Sequence, residues 1–238
     1  DIIKGKLVNY QVEGNGILSV SDNSSNEIAS GAIVYKGSVV VIKVTPDENY
    51  HVESVLINGD DKTEECVSDA GYSLVVNEHL DIIAKFAIDS YSLNYSCNEE
   101  FGKMIVQKSN GDDVISGDLI PYNEKVTFTL QPAVRCYVAS VMIDGEEKMD
   151  EILTNKSFSL NITKETTVQV VYEAEKYSLT LANDTPKKGK LMVKRLSDDI
   201  ELEDQSEIIY DEELLIAWLP EEGCELAELW IKEGLSLI

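Results

Sequence analysis

The sequence predicts an all-β fold with at most one short helix per repeat, built from tandem small antiparallel or mixed β modules, β-grasp-like or small sandwiches, arranged head to tail. Three observations carry this: apolar residues alternate with period two, turn-forming pairs separate the alternating runs, and the whole pattern recurs along the chain. Alternation places every second side chain on one face of a strand. In Val126–Thr127–Phe128–Thr129–Leu130 the valine, phenylalanine and leucine share a face. Phe158, Leu160 and Ile162 alternate likewise, as do Thr166, Val168, Val170 and Tyr172. The earlier runs are Tyr72, Leu74 and Val76, then Leu80, Ile82, Ala84 and Phe86. Asn58–Gly59, Asn110–Gly111 and Asp144–Gly145 suit tight hairpin turns, because both residue types tolerate positive φ. Pro46, Pro132 and Pro220 close strands where a missing N–H does least harm.

The repeat is found by shifting the chain 86 positions. Gly16–Ile17–Leu18–Ser19–Val20 then falls on Gly102–Lys103–Met104–Ile105–Val106, Ser30–Gly31 on Ser116–Gly117, and Pro46 on Pro132. Val52, Ser54, Val55, Ile57 and Gly59 fall on Val138, Ser140, Val141, Ile143 and Gly145, and Phe86 falls on Tyr172. A third copy opens with Tyr177–Ser178–Leu179, the echo of Tyr91–Ser92–Leu93, and continues through Gly189, Tyr210 and Pro220. The modules expected are residues 1–88, 89–175 and 176–238, the last without counterparts of the final two apolar segments. Each full copy reads as about six short strands, with a helical turn in the second around Met149, Ile152 and Leu153. Glu225–Lys232 has helical spacing taken alone, but the repeat register places Leu226 on Val138 and Leu229 on Val141, so a strand is expected there. Four-residue linkers (Ala87–Ser90 and Glu173–Lys176) without Gly or Pro leave little swing, which predicts a monomeric, semi-rigid rod.

Charge excludes whole classes of partner. Forty-four acidic against twenty basic residues give a net charge of -24, unsuited to nucleic acid or an anionic membrane surface. The longest apolar run, Leu214 to Leu219, is far shorter than the roughly 20 residues that cross a bilayer, so a soluble chain without membrane insertion is expected. The first residues lack the features of a signal peptide, and the absence of an initial Met is consistent with a removed leader.

The residues offer structure more readily than chemistry. The two histidines, His51 and His79, map onto Tyr137 and Glu165 in the next copy, so both are expected at the surface with no catalytic triad. The acidic clusters Asp60–Asp61, Asp112–Asp113 and Asp198–Asp199 with Glu201, Glu203 and Asp204 lack a calcium-loop pattern and read as solvated turns. Cys66, Cys97, Cys136 and Cys224 form no CxxC pair, and free buried thiols are expected. Trp218 and Trp230 occupy core-type positions held by Leu130 and Met142 in the second copy. Trp230, next to Leu229 in the alternation, faces outward in this reading and is the one candidate binding residue. No catalytic or metal residue and no cofactor are called for.

Laid out in this way, the repeat resembles the divergent internalin-B-type B repeats of bacterial surface proteins. The matching elements are Gly16, Gly37, the Val39 to Pro46 strand, Tyr50, the Val52-to-Gly59 hairpin strand and Ile82 to Phe86. The second copy has Asn123 for the glycine and Cys136 for the aromatic; the third keeps Gly223 before Cys224 and then diverges to Glu233–Gly234. The resemblance implies a secreted or cell-surface bacterial protein with β-grasp-like modules acting as spacer, stalk or adhesion elements, and transfers no site residues. The expected function is therefore a non-enzymatic spacer or adhesion module whose partner is a host or cell-surface protein. The alternatives are a glycan-binding module set of a surface glycan-utilisation system, with exposed aromatics as platform, and an accessory segment of a larger secreted enzyme.

Overall fold

The computed structural model describes residues 5–148, 156–229 and 231, and it is nearly all β. In the first repeat the strands are β1 (Gly5–Glu13), β2 (Gly16–Asp22), β3 (Ala32–Tyr35), β4 (Val39–Pro46), β5 (Tyr50–Ile57) and β6 (Asp60–Asp61). A one-turn helix α1 (Thr63–Cys66) follows, then β7 (Tyr72–Val75) and β8 (Leu80–Ile88). They form two sheets, one ordered β3-β1-β8-β5-β6 and the other β2-β4-β7. The central pair β1–β8 is parallel and its neighbours β3 and β5 pair antiparallel, so the larger sheet is mixed as in a β-grasp. A second sheet stands where a β-grasp has its helix. The module thus joins features of both alternatives the sequence left open.

Burial follows the alternation. β8 buries Leu80, Ile82, Ala84 and Phe86, and these pack in one cluster with Val8 and Val55 of their own sheet and Leu18, Val40, Ile42 and Val44 of the other. The second repeat repeats the plan with β9 (Ser90–Cys97), β10 (Gly102–Lys108), β11 (Asp118–Pro121), β12 (Glu124–Pro132), β13 (Cys136–Ile143), β14 (Glu146–Glu147), β15 (Ser157–Ile162) and β16 (Thr166–Ala174). Its sheets are β11-β9-β16-β13-β14 and β10-β12-β15. The third has β17 (Lys176–Ser178), β18 (Gly189–Arg195), β19 (Glu201–Leu202), β20 (Glu207–Ile209) and β21 (Leu214–Pro220), in sheets β17-β20 and β19-β18-β21. Among the described residues every sheet draws its strands from a single repeat. Grouped by compactness, the described residues of Asp1–Leu93, Gly117–Val126 and Leu160–Thr166 form one unit, and those of Asn94–Ser116, Thr127–Ser159 and Thr167–Ile238 another.

Left-handed backbone recurs at matching positions even where the residue type changes. Ser25, Gly111 and Asp199 share one such position, with φ of 62°, 90° and 58°. Gly37, Asn123 and Asp211 share another (88°, 63°, 65°), which explains why Asn can replace the glycine of the repeat: Asn and Asp are the residues besides Gly that enter this region at least cost. A third is Asn49, Arg135 and Gly223 (65°, 56°, 77°). The hairpin turns at Asn58–Gly59 and Asp144–Gly145 have both central residues at positive φ, as a two-residue turn of the primed type requires. At Asn110–Gly111 only the glycine does so, closing a longer loop in which the Gly111 N–H donates to the Lys108 carbonyl. Even the bulge is shared: the β5–β8 register slips between Val52 and Ser54, and the β13–β16 register between Val138 and Ser140.

Three expectations change. The described helix lies in the first repeat, where the sequence signal was weaker; Met149, Ile152 and Leu153 lie outside the described residues. Among the described residues each full repeat has eight strands rather than about six, the additions being short edge pieces such as β6 and β14. Glu225–Leu229 form neither strand nor helix. Their counterparts β5 and β13 pair with β8 and β16, and the third repeat has no such partner among its described residues.

Candidate functional site: the inter-repeat joints

Successive repeats are joined by a single residue outside strand structure. β8 ends at Ile88 and β9 begins at Ser90, leaving Asp89; β16 ends at Ala174 and β17 begins at Lys176, leaving Glu175. The linkers are thus tighter than the four residues read from sequence, because strand pairing continues through their ends. Pro121, for example, pairs with Ser90.

Both joint residues are held in the same way. The Asp89 N–H donates to the Asn49 carbonyl (2.9 Å), and the Tyr122 N–H donates to the Asp89 carbonyl (2.7 Å). The Glu175 N–H donates to the Arg135 carbonyl (2.7 Å), and the Tyr210 N–H donates to the Glu175 carbonyl (3.1 Å). Asn49 and Arg135 are matching left-handed positions, so the turn before β5 and β13 aims a carbonyl at the joint in each case. Each joint is therefore hydrogen-bonded through its main chain to the repeat before it and the repeat after it.

Side chains decorate this frame differently at the two joints. At the first, His51 Nδ1 lies 2.9 Å from Asp89 Oδ1, and the Tyr91 and Tyr122 rings meet edge to face at 6.5 Å. At the second, Glu175 pairs with Arg135 (3.4 Å) and accepts the Tyr177 hydroxyl (2.6 Å). Beside it the Tyr137 hydroxyl donates to Glu173 and Lys176 pairs with Glu207. The carboxylate neighbours hold the Tyr137 and Tyr177 phenols above their ordinary range, because their hydroxyls are donors to an anion.

The remaining candidates fall where structure needs them. Both histidines are exposed, and His79 Nδ1 accepts the Leu7 N–H (2.9 Å), which stitches a turn to β1. The acidic clusters serve local turns and ion pairs. Asp61 accepts the Thr63 N–H and hydroxyl, Asp112 accepts from Asn110, Asp198 accepts the Ile200 N–H, and Asp199 and Glu201 pair with Lys194 and Lys190. Among the described residues no three metal-binding side chains converge. All four cysteines are free, Cys66 buried and the other three half-buried, so Cys136 and Cys224 are less enclosed than expected. Trp230, the candidate binding residue, lies outside the described residues. Trp218 is half-buried, its indole lying against Gly189.

That indole has a counterpart in the other repeats. A Cβ at Gly16 would sit 2.6 Å from the Phe86 ring, and one at Gly102 would sit 2.7 Å from the Tyr172 ring. The glycine that leads each repeat therefore marks close approach of an aromatic ring, supplied by the last strand in the full repeats and by Trp218 in the third. Sequence reading aligned Gly16 with Gly102 and Phe86 with Tyr172 without pairing them. It also passed over Asp89 and Glu175, whose 86-residue spacing and shared acidity were the available signal.

These features define the class: a protein of tandem small β modules, each with its own sheets. No known family profile matches the sequence, and no curated protein matches it. Among solved structures the chain is similar to the Bacillus anthracis TIE protein, at 10% identity and a TM-score of 0.42 over 91% of this chain. The match spans 43% of that protein's chain, less than half its length. No helix among the described residues is long and apolar enough to cross a membrane.

Proposed function

We propose that the chain is a non-enzymatic spacer or adhesion segment of a secreted or cell-surface bacterial protein, in which rigid joints hold successive β modules in fixed register. The observation that carries this reading is the twice-repeated joint, one residue long and bonded through its main chain to both neighbours. A flexible linker would leave the modules free to swing. The sequence resemblance to internalin-type repeats supports the surface setting.

The test is a distance distribution across the first joint. In a cysteine-free background, spin labels replace Lys36 and Glu165, both exposed and in different repeats. A narrow distribution is expected, broadening strongly when a (Gly-Ser)3 segment is inserted after Asp89. If the chain without the insertion is already as broad as the inserted variant, the spacer reading is wrong.

A further inference from the structure

The chain holds three Asn–Gly pairs, Asn15–Gly16, Asn58–Gly59 and Asn110–Gly111. In such a pair the glycine nitrogen, unshielded by a side chain, is able to attack the neighbouring asparagine amide. A fold permits this only where the amide is free to turn and the glycine N–H is not held. Asn58 is pinned at both ends: its Nδ2 donates to the His79 carbonyl (2.9 Å) and its Oδ1 accepts the Asp81 N–H (2.8 Å). Asn110 is pinned by Asp112, whose carboxylate accepts from Nδ2 (2.7 Å) and whose N–H donates to Oδ1 (3.0 Å). The Gly111 N–H is held as well, by the Lys108 carbonyl.

Asn15 differs on both counts. It is exposed, and its side chain has no hydrogen bond among the described residues. Its main-chain carbonyl faces β4 and accepts the Asp47 N–H, so the alternation of the ladder turns the Gly16 N–H away from β4. Val20 fixes the phase, because it lies an even number of residues on and its carbonyl points outward to the Ile28 N–H. β4 is the only strand beside β2 among the described residues, so the ladder leaves the Gly16 nitrogen open.

This turn sits at the base of the first joint. Gly14 is left-handed (φ 82°), and a Cβ there would collide with the Phe86 carbonyl oxygen, while one at Gly16 would meet the Phe86 ring. The turn therefore closes tightly on the end of β8. Its bond to β4 is long, 3.3 Å from the Asp47 nitrogen to the Asn15 carbonyl, where the matching bonds at Phe101 and Lys188 are 2.9 Å each. From Asp47 the bonds run on to the joint. The Asp47 carbonyl accepts the Tyr50 N–H (3.1 Å), and between them the Asn49 carbonyl accepts the Asp89 N–H (2.9 Å).

We propose that Asn15 is a site of spontaneous isoaspartate formation that loosens the first joint. The site rests on the hydrogen bonds above, and its consequence for spacing rests on the spacer reading. The Gly16 nitrogen bonds to Asn15 Cγ, and its proton passes through solvent to the side-chain nitrogen, which leaves as ammonia. One water then opens the five-membered imide. Opening at Cγ gives aspartate; opening at the main-chain carbonyl gives isoaspartate, in which the main chain runs through Cγ and is one carbon longer. That longer chain no longer fits Gly14 and Gly16 together against Phe86. It also turns the carbonyl that Asp47 holds into a side-chain carboxylate, which frees the turn that aims Asn49 at Asp89.

The full chain is incubated at neutral pH in heavy-oxygen water, folded and in urea. Conversion of each asparagine is followed by peptide mass spectrometry, and isoaspartate is counted with an isoaspartyl methyltransferase. In the folded chain Asn15 is expected to convert about tenfold or more faster than Asn58 and Asn110, whose amides must first break their bonds. In urea the three rates converge. In the converted chain the Asp89 amide exchanges its hydrogen about threefold or more faster. Asn15→Lys, which copies Lys188 at the same turn of the third repeat, removes both effects on incubation. The proposal is overturned if Asn58 or Asn110 converts as fast as Asn15 in the folded chain, or if Asn15 yields no isoaspartate. It is also overturned if Asp89 exchanges equally before and after conversion. The spacer reading fails on a different result, a broad distance distribution between labels at positions 36 and 165 in unconverted chain.

Discussion

Replacing Gly102 with alanine tests whether the glycine leading each repeat exists to admit an aromatic ring. The new methyl carbon would stand 2.7–2.8 Å from three ring atoms of Tyr172, against an ordinary carbon–carbon contact of about 3.5–4.0 Å. One partner must therefore move by most of an ångström. The ring cannot easily be the one. Tyr172 is 1% exposed, its hydroxyl donates to the Lys103 carbonyl (2.7 Å), and Asn98 clamps its main chain on both sides (2.8 Å each). Overpacking of this kind costs about 1–3 kcal/mol, and the clamped ring places Gly102→Ala in the upper part of that range.

Repeat arrays need not unfold in one step, so a single melting curve is a poor assay. Native-state hydrogen exchange of the β12 amides reports the opening of the second repeat itself. A loss of about two to three kcal/mol raises the open population about 30–160-fold. In a Tyr172→Leu background, where the flat ring is gone, the same substitution should cost at least about 1 kcal/mol less. Two results would refute the reasoning: an exchange rate unchanged by Gly102→Ala, or a cost that is the same in both backgrounds.

Four further outcomes are expected. Tyr172→Phe, which copies Phe86 of the first repeat, loses the hydroxyl's bonds to the Lys103 carbonyl and the Gln131 main chain, about 0.5–1.5 kcal/mol each, measured by the same exchange; a larger loss would mean the hydroxyl holds more than these two bonds. The Tyr172 phenol, pushed up to about 12 by burial, is expected to be the last tyrosine to ionise in a spectrophotometric titration, and Tyr172→Phe should remove that final step. Burial raises the Cys66 thiol to about 11, so a thiol reagent at neutral pH should label it more slowly than Cys136, and equal rates would contradict its buried place at the end of α1. Thr63 holds the Asp61 carboxyl below its ordinary 3.8, so its support of the α1 turn is complete above that pH and is lost as pH falls through the lower folded value; a carboxyl titration by NMR with a midpoint at or above 3.8 would reverse the sign.

The strands were legible because one face of each is buried, and burial writes period two into the residues. The inward set Val126, Phe128, Leu130 is read directly, and Pro46, Pro132 and Pro220 end β4, β12 and β21 as expected. What alternation does not encode is partnership. Nothing in Val8 or Ile82 announces that β1 and β8 run parallel at the centre of a sheet, since that follows from how the chain crosses between layers. The same limit explains the third repeat. Leu226 and Leu229 carry the residue types of a core strand, but a strand exists only where another can pair with it. The joints were half visible: sequence gave their position and shortness, while the bonds that fix them run through main-chain atoms that no side-chain pattern reveals.

Energetics at the joint show why that should be so. Fixing one residue costs about 1–2 kcal/mol of backbone entropy. Two main-chain hydrogen bonds at about 0.5–1.5 kcal/mol each are enough to offset it. The exposed side-chain pairs, His51–Asp89 and Arg135–Glu175, add about 0–1 kcal/mol and can differ between joints without consequence. Every inserted residue adds a full entropic cost and breaks the register of the two bonds, so length is what the joint cannot change. The left-handed turn that aims the carbonyl is the second constraint. Arg135 pays for that conformation with roughly 1 kcal/mol that glycine, the residue at the matching position 223, does not incur. Arg135→Gly should accordingly be about 1 kcal/mol more stable than Arg135→Ala by hydrogen exchange of β13, although both lose the same ion pair. Equal stabilities would show that the turn before the strand is not under the strain its φ of 56° implies.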